Sequence, residues 1–240
     1  MIYFIGAGPG DEDLITVKGR RIIEAADLVV FTGSLVSKTH LKYCKPDCVK
    51  ISSAPLTLEE VMDKLIEFHD QNLTVVRLHT GDPSIYGAIG EQIKILDERK
   101  IDFEVVPGVS SFTAACSSLK KEFTLPGISQ TVIVTRLAGR TPVPEKEDLE
   151  LLARHQCSMA IFLSVKDMKT VVKKLTAGYG SDQIPIAVVY KATWPDEKII
   201  KGTLADIAEK VAAHKIEKFA QILVGEFIDT DFDRSLLYHP

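Results

Sequence analysis

Three short loops rich in glycine, proline, serine and aspartate carry residues that can bind a small ligand. They are Gly6–Asp11, Thr80–Gly87 and Val106–Ala115, the last of which runs into the start of a predicted helix. Each follows a short apolar run, which is typical of a turn at the carboxyl end of a β-strand, where open α/β sheets bind ligands. Taken singly, each loop is equally well explained as a tight turn or a helix start that binds nothing. Together they predict one binding edge.

The first loop departs in two places from the glycine pattern that binds dinucleotides. Asp11 stands where that pattern has its third glycine, and Pro9 has no backbone N–H to donate. A pyrophosphate needs N–H donors and no neighbouring carboxylate. The loop therefore indicates a nucleoside cofactor without a pyrophosphate, one that carries positive charge.

A fourth loop, Thr135–Glu145, contains Arg136 and Arg140. Guanidinium groups match carboxylates in bidentate geometry, so this loop predicts a clamp for carboxylates, with a solvated basic loop as the alternative.

His79 ends a predicted strand beside Gly81. We interpret it as a packed, hydrogen-bonded histidine rather than a catalyst.

The first half of the chain alternates predicted strands and helices. A capping box of Thr57 and Glu60 starts a helix over Thr57–His69, and another helix is predicted over Thr16–Ala26. This alternation indicates right-handed crossovers and a mainly parallel sheet. The predicted strands are residues 2–5, Leu28–Phe31, Cys48–Ile51, Thr74–His79 and Phe103–Val106.

The pattern is interrupted at Lys120–Gly127, which predicts two α/β domains over residues 1–120 and 121–240. In the second half, a helix is predicted to begin at Ser164 and to be capped by Asp167. A hairpin around Thr193–Asp196 indicates a mixed sheet. The predicted strands there are Thr131–Thr135, Met159–Leu163, Ile186–Tyr190 and Ala220–Val224.

Composition narrows the classes of function. The chain has 240 residues, 45% of them hydrophobic, and a net charge of −4, which argues against a nucleic-acid binder driven by a basic field. No apolar run is long enough for a membrane span, and the N-terminus lacks the pattern of a signal peptide. Four cysteines in a chain of this length indicate reduced thiols and a cytoplasmic location.

His40, Cys44 and Cys48 are spaced four residues apart, a spacing that would align them on one helix face. Pro46 argues against that helix. We therefore prefer two buried or half-buried thiols to a zinc site, and we predict no metal.

In order and spacing, Gly6–Asp11, Thr80–Pro83 and Pro107–Ser111 resemble the tetrapyrrole (corrin/porphyrin) methyltransferases. The resemblance covers essentially the whole chain. It implies S-adenosylmethionine as the cofactor, S-adenosylhomocysteine as its product, and a tetrapyrrole substrate. It also implies a cofactor folded into the trough between the two domains, and a homodimer.

Two further stretches resemble the branch of the family that methylates C-11 of precorrin-4, or of its cobalt-containing counterpart, in cobalamin synthesis. They are Gly33–Val36 and Thr135–Glu145. In that branch the first stretch is usually preceded by Tyr-Ala, where this chain has Phe31-Thr32. The sequence does not distinguish the cobalt-containing substrate from the cobalt-free one.

The resemblance assigns roles to individual positions. Pro9 would lie near the transferred methyl group. From the chemistry of the transfer, and not from the resemblance, Asp11 and Asp82 are candidates to accept the proton that the substrate loses. The residues expected to contact the cofactor are Pro9, Thr80, Gly81, Asp82, Ile85, Ser110, Ser111, Leu163, Ala192, Gly202 and Thr203. The residues expected to bind substrate carboxylates are Arg136, Arg140, Ser34, Lys38, His40 and Lys191.

Transfer to a ring carbon needs in-line alignment of donor and acceptor and no metal or nucleophilic side chain. The alternatives within the family are methylation of other precorrin carbons or of uroporphyrinogen III, and the diphthine and ribosomal-RNA branches. Outside this chemistry, the alternatives are a nucleotide-dependent oxidoreductase and a non-catalytic nucleotide-binding regulator.

Overall fold

The computed structural model of the protein describes residues 1–33 and 38–238. Its backbone forms two compact units, of which the first spans Met1–Ser111 and the second begins at Phe112. No helix in these two ranges is long and apolar enough to cross a membrane.

The first unit is a five-stranded sheet in the order β3-β2-β4-β1-β5. All of its strand pairs are parallel, as the sequence predicts. The strands are β1 Ile2–Gly6, β2 Leu28–Phe31, β3 Val49–Ser52, β4 Val75–His79 and β5 Phe103–Val106. The helices are α1 Val17–Ala25, α2 Leu58–His69 and α3 Gly90–Glu98, and α4 Ser111–Ser118 begins at the end of the unit.

The two faces of this sheet are buried in separate hydrophobic clusters, because successive side chains of a strand point to opposite faces. Ile5 and Val76 belong to one cluster, whereas Phe4 and Val75 belong to the other, which also holds Leu65 of α2. Helix α2 begins with the predicted capping box, in which Thr57 Oγ1 accepts from Glu60 N at 3.2 Å and Glu60 Oε2 accepts from Thr57 N at 2.7 Å. These helices and clusters hold the strand ends at a fixed edge.

The second unit contains a five-stranded mixed sheet in the order β6-β7-β10-β8-β9. Only β6 and β7 pair in parallel, so the predicted mixed sheet is confirmed. The strands are β6 Val132–Arg136, β7 Ser158–Phe162, β8 Pro185–Tyr190, β9 Lys198–Thr203 and β10 Ala220–Val224. The helices are α5 Leu149–Ala153, α6 Met168–Tyr179 and α7 Ile207–Ala213. Asp167 caps α6, but the predicted start at Ser164 is wrong, because Val165–Asp167 form a separate 3₁₀ turn before the helix.

The predicted domain boundary at residue 120 stays a prediction, whereas the compact units divide earlier, after Ser111. Aromatic packing explains the earlier division. The ring of Phe112 lies 5.9 Å from that of Phe123, which lies 4.8 Å from that of Phe227 beyond β10. The body of α4 and the segment after it are therefore packed within the second unit.

Candidate functional site

A junction of three glycine backbones forms the carboxyl edge of the first sheet. Gly6 ends β1, Gly81 follows β4 and Gly108 follows β5, and these three strands are neighbours. A Cβ on Gly108 would lie 2.2 Å from the carbonyl oxygen of Gly81, and a Cβ on Gly6 would lie 2.7 Å from Gly108 Cα. No side chain fits there, so close packing between the loops explains these glycines without a ligand.

The first two predicted loops are joined directly by their backbones. Gly8 and Gly81 form an isolated antiparallel bridge, in which Gly81 N donates to Gly8 O at 2.8 Å and Gly8 N donates to Gly81 O at 3.3 Å. Both glycines have positive φ, +82° and +64°. Pro9, which follows this bridge, is buried. The structure therefore brings the first loop against the second.

The carboxylate of Asp82 joins the second loop to the third. Its Oδ2 accepts from Gly108 N at 2.9 Å, and its Oδ1 accepts from Ser84 N at 2.8 Å. Both oxygens thus hold backbone N–H groups, which is the geometry of a positioning residue. Asp11 is exposed, and its Oδ1 accepts from Asp13 N at 3.0 Å at the start of a short 3₁₀ turn.

The remaining predicted residues of the first unit lie along the same edge. Thr80 and Ile85 are half-buried, and Ser110 is 8% exposed at the turn into α4. A Cβ on Gly81 would lie 3.8 Å from both Ser110 Cα and Ser111 N. The three loops therefore form one continuous surface of backbone and small polar side chains.

The charge of this edge fits a cationic ligand better than a phosphate. The three loops contain Asp11 and Asp82 and no lysine or arginine. His79, which ends β4, is 2% exposed, and burial lowers its pKa to about 3, with Arg77 contributing. The imidazole is therefore neutral near pH 7. The charged side chains of these loops are carboxylates, which favours a cationic group such as a sulfonium over a pyrophosphate.

A second polar edge lies in the second unit, where β6, β7 and β8 end. These strands run in one direction, because β10 is antiparallel to both β7 and β8. Leu163 follows β7 with φ +54° and is 74% exposed, which is unusual for a leucine. Lys191 (φ +48°), Thr193 (φ +71°) and Phe219 (φ +60°) share this left-handed backbone at the same edge. Backbone strain of this kind clusters at functional sites.

Gly202 and Thr203 lie at the opposite edge of that sheet. Strand β9 is antiparallel to β8, so Gly202 pairs with Ile186 and Thr203 with Pro185, at the start of β8. Ala192 follows the other end of β8 and is buried. The structure therefore does not bring Gly202 and Thr203 to the edge of Leu163 and Ala192. The reason is that the chain returns antiparallel through the predicted hairpin, so the end of β9 lies beside the start of β8.

The loop after β6 is organised by Arg136 itself. Its guanidinium donates to the carbonyl oxygens of Leu137, Thr141 and Pro142, each at 3.0 Å. Arg140, in the same loop, is exposed and has no hydrogen bond or ion pair within residues 1–33 and 38–238. The predicted clamp therefore contains one arginine that holds the loop and one that is available to a ligand.

Of the other residues expected to bind carboxylates, Lys191 is already paired. Its Nζ lies 2.5 Å from Asp196 Oδ2, and this hydrogen bond raises the pKa of the lysine. His40 is 1% exposed. Ser34 lies outside the described residues, and of Lys38 only the backbone, in a 3₁₀ turn, is described.

The cysteine pair is buried or half-buried, as expected. Cys44 is half-buried and Cys48 is buried, and burial raises the pKa of Cys48 to about 12. The described part of the chain contains no group of three or more His, Cys, Asp or Glu side chains arranged to hold a metal ion.

Sequence reasoning missed Arg77, which is 6% exposed in the middle of β4. A charged residue inside an apolar strand was the available signal. It also missed Glu197, whose Oε2 accepts from Thr193 N at 2.6 Å and from Ser118 Oγ at 2.8 Å. No local pattern marks that contact.

Two relatives resemble nearly the whole chain. A cobalt-precorrin-4 C(11)-methyltransferase of Methanocaldococcus jannaschii is 53% identical over 231 residues, 96% of this chain and 89% of that protein. A precorrin-4 C(11)-methyltransferase of Pseudomonas aeruginosa is 48% identical over 239 residues, 99% of this chain and 94% of that protein.

Two solved structures have the same fold. The X-ray structure of a cobalamin biosynthetic enzyme, a cobalt precorrin-4 methyltransferase, matches with a TM-score of 0.93 at 45% identity, over 95% of this chain and 96% of that one. A Thermus thermophilus uroporphyrin-III C-methyl transferase, solved in complex with S-adenyl homocysteine, matches with a TM-score of 0.79 at 26% identity, over 95% and 93%. Residues 1–208 also match the family model for tetrapyrrole (corrin/porphyrin) methylases. The chain belongs to the tetrapyrrole (corrin/porphyrin) methylase family.

Proposed function

We propose that this protein transfers a methyl group from S-adenosylmethionine to C-11 of precorrin-4, with or without cobalt, in cobalamin biosynthesis. The observation that carries the proposal is the match, over 95% of the chain, to a cobalt precorrin-4 methyltransferase at a TM-score of 0.93. The identities of 53% and 48% to relatives named for C-11 methylation support the same position of transfer.

S-adenosylmethionine, when bound, supplies an electrophilic methyl group on a sulfonium. The chain's own contribution is alignment, which is the main requirement of an in-line transfer. The Gly8–Gly81 bridge and the Asp82–Gly108 hydrogen bond fix three loops relative to one another. Thr80, Ser110 and Ser111 place small polar groups along the edge that these loops form. Pro9 contributes a rigid, buried surface without an N–H donor.

The negative loop charges favour the cationic donor. Asp82 contributes its charge while both of its oxygens hold backbone N–H groups. Asp11 is the more accessible of the two carboxylates proposed to accept the proton that the substrate loses. On the substrate side, exposed Arg140 is the candidate for an acetate or propionate group, because its guanidinium is available for bidentate pairing.

The test is incubation of the protein with methyl-labelled S-adenosylmethionine and either precorrin-4 or cobalt-precorrin-4, followed by NMR location of the new methyl group. A label at C-11 is the expected result. A label at another carbon would instead support the alternative function, a different tetrapyrrole methylation such as that of uroporphyrinogen III. Cofactor binding without transfer to any tetrapyrrole would support a regulator.

We further propose a cytoplasmic homodimer. The four cysteines are free, which is typical of proteins kept in a reducing compartment. The dimer follows only from the family resemblance. Sedimentation equilibrium of the purified protein tests it, and a mass equal to one chain at micromolar concentration would contradict it.

A further inference from the structure

Strand β4 carries a buried cation that the proposed transfer does not use. Arg77 is 6% exposed and His79 is 2% exposed. Because Arg77 and His79 are two positions apart in β4, their side chains lie on the same face of the sheet. The ring of His79 lies 6.0 Å from that of Phe4, so the surroundings are apolar.

The hydrogen bonds of Arg77 go to neutral acceptors. Its Nε donates to Gln92 Oε1 at 3.3 Å, and its Nη1 donates to Val30 O at 3.2 Å. Within residues 1–33 and 38–238 it has no ion pair, and burial lowers its pKa to about 10. A guanidinium has five N–H donors, so most of those on Arg77 lack an acceptor in this part of the chain.

His79 adds an unused polar atom beside this cation. Its Nε2 is buried and has no hydrogen-bond partner among the described residues. Burying a polar atom without a partner, or a charge without a counter-charge, costs free energy. An anion bound between the Arg77 guanidinium and His79 Nε2 would give the first a counter-charge and the second a hydrogen-bond partner.

The location connects these groups to the ligand edge. His79 ends β4 and directly precedes the Thr80–Gly87 loop. Gln92, which accepts from Arg77, also donates through its Nε2 to the carbonyl oxygen of Ala88 at 2.9 Å. Ala88 is exposed and has φ +50°. Two hydrogen bonds thus link Arg77 to an exposed, strained turn at that edge.

We propose that Arg77 and His79 form a buried subsite that binds a carboxylate group of a ligand. The planar guanidinium fork matches a carboxylate, and a neutral imidazole can donate one further hydrogen bond to it. The source of the carboxylate rests on the proposed function: it is either an acetate or propionate of the tetrapyrrole, or the amino-acid carboxylate of the methyl donor.

The first test needs neither substrate nor variant activity. The full chain, labelled with ¹⁵N-histidine, is titrated with sodium propionate and, at equal ionic strength, with sodium chloride, and His79→Gln assigns the signals. At pH 7, where propionate is ionised, it is expected to shift the His79 ¹⁵N signals in a saturable way that chloride does not reproduce, because the carboxylate accepts a hydrogen bond from the neutral imidazole. The Arg77→Met variant should lose this response. Propionate that leaves the His79 signals unmoved would overturn the subsite.

The second test identifies the source of the carboxylate. The Michaelis constants for the tetrapyrrole and for S-adenosylmethionine are measured separately in Arg77→Met and in Arg21→Met, a control at an exposed arginine of α1. One of the two constants should rise about tenfold or more in Arg77→Met, as for a lost charge-assisted hydrogen bond. Two unchanged constants in a folded variant would contradict the subsite. Failure of the wild type to methylate any tetrapyrrole would contradict the proposed function alone, because the propionate titration still tests the subsite.

Discussion

Asp82 connects two loops of the first unit through hydrogen bonds to Gly108 N and Ser84 N. In the sequence analysis, Asp82 is a candidate proton acceptor because the substrate loses a proton in the proposed transfer. The geometry favours a positioning role instead, because a carboxylate whose oxygens both hold backbone N–H groups is stabilised where it is. Its assignment as a catalytic residue stays a prediction.

At the scale of this residue, we predict that Asp82→Asn weakens S-adenosylhomocysteine binding and lowers the free energy of unfolding by about 1.5–3 kcal/mol, the range for hydrogen bonds to charged groups. Asparagine keeps one acceptor oxygen and loses the charge. Calorimetry and urea unfolding measure the two effects. Asp63→Asn, at an exposed position of α2, is the control. Wild-type affinity and stability in Asp82→Asn would show that the link is dispensable.

At the scale of elements, the ends of β1, β4 and β5 depend on glycine. Gly108→Ala should destabilise the protein by several kcal/mol or abolish folding, because its Cβ would lie 2.2 Å from Gly81 O. Gly90→Ala is the matched control, since a Cβ there meets no atom within 4 Å at the start of α3. It should leave stability unchanged or raise it by up to about 1 kcal/mol. Thermal unfolding of both variants checks this, and equal melting temperatures would contradict it.

In the loop after β6, the two arginines predicted to act together as a clamp have different roles: Arg136 holds the loop and Arg140 is available to the substrate. Arg140→Ala should raise the Michaelis constant for the tetrapyrrole about tenfold, leaving the affinity for S-adenosylhomocysteine unchanged. Arg136→Ala should expose the loop to proteolysis, because three carbonyls lose their common donor. Steady-state kinetics and limited trypsin digestion distinguish the two. An Arg140→Ala enzyme with normal substrate kinetics would remove this arginine from the site.

At the scale of the whole molecule, buried His79 makes stability depend on pH. Burial lowers its pKa to about 3 in the folded state, against about 6.5 in the unfolded chain. Between these values the unfolded state binds the extra proton, so stability is full above about pH 6.5 and falls as the pH drops toward 3. The slope from this group is about 1.4 kcal/mol per pH unit. Urea unfolding between pH 7 and pH 4 should show a shallower dependence in His79→Gln, and an unchanged slope would contradict this account.

The elements themselves were largely predictable, because their signals are local. Leu28–Phe31 and Phe103–Val106 have the predicted bounds, and the Thr57–Glu60 capping box and the Asp167 cap are in place. Each depends on apolar spacing or on a side chain that reaches only a few residues along the chain. The coincidence of three loops at one edge followed from strand–helix alternation, because parallel strands end on the same side.

The sequence by itself determined the two α/β units, the three loops of the first unit and the sign of their charge. Only the tertiary structure decided which residues of those loops contact one another and which residues lie at the same edge. Strand order makes Gly6, Gly81 and Gly108 neighbours, and strand direction sends Gly202 to the opposite edge from Leu163. Packing buries Arg77 without an acidic partner in the described residues. These outcomes depend on contacts between residues far apart in the chain, and no local pattern of residue types encodes which strands pair.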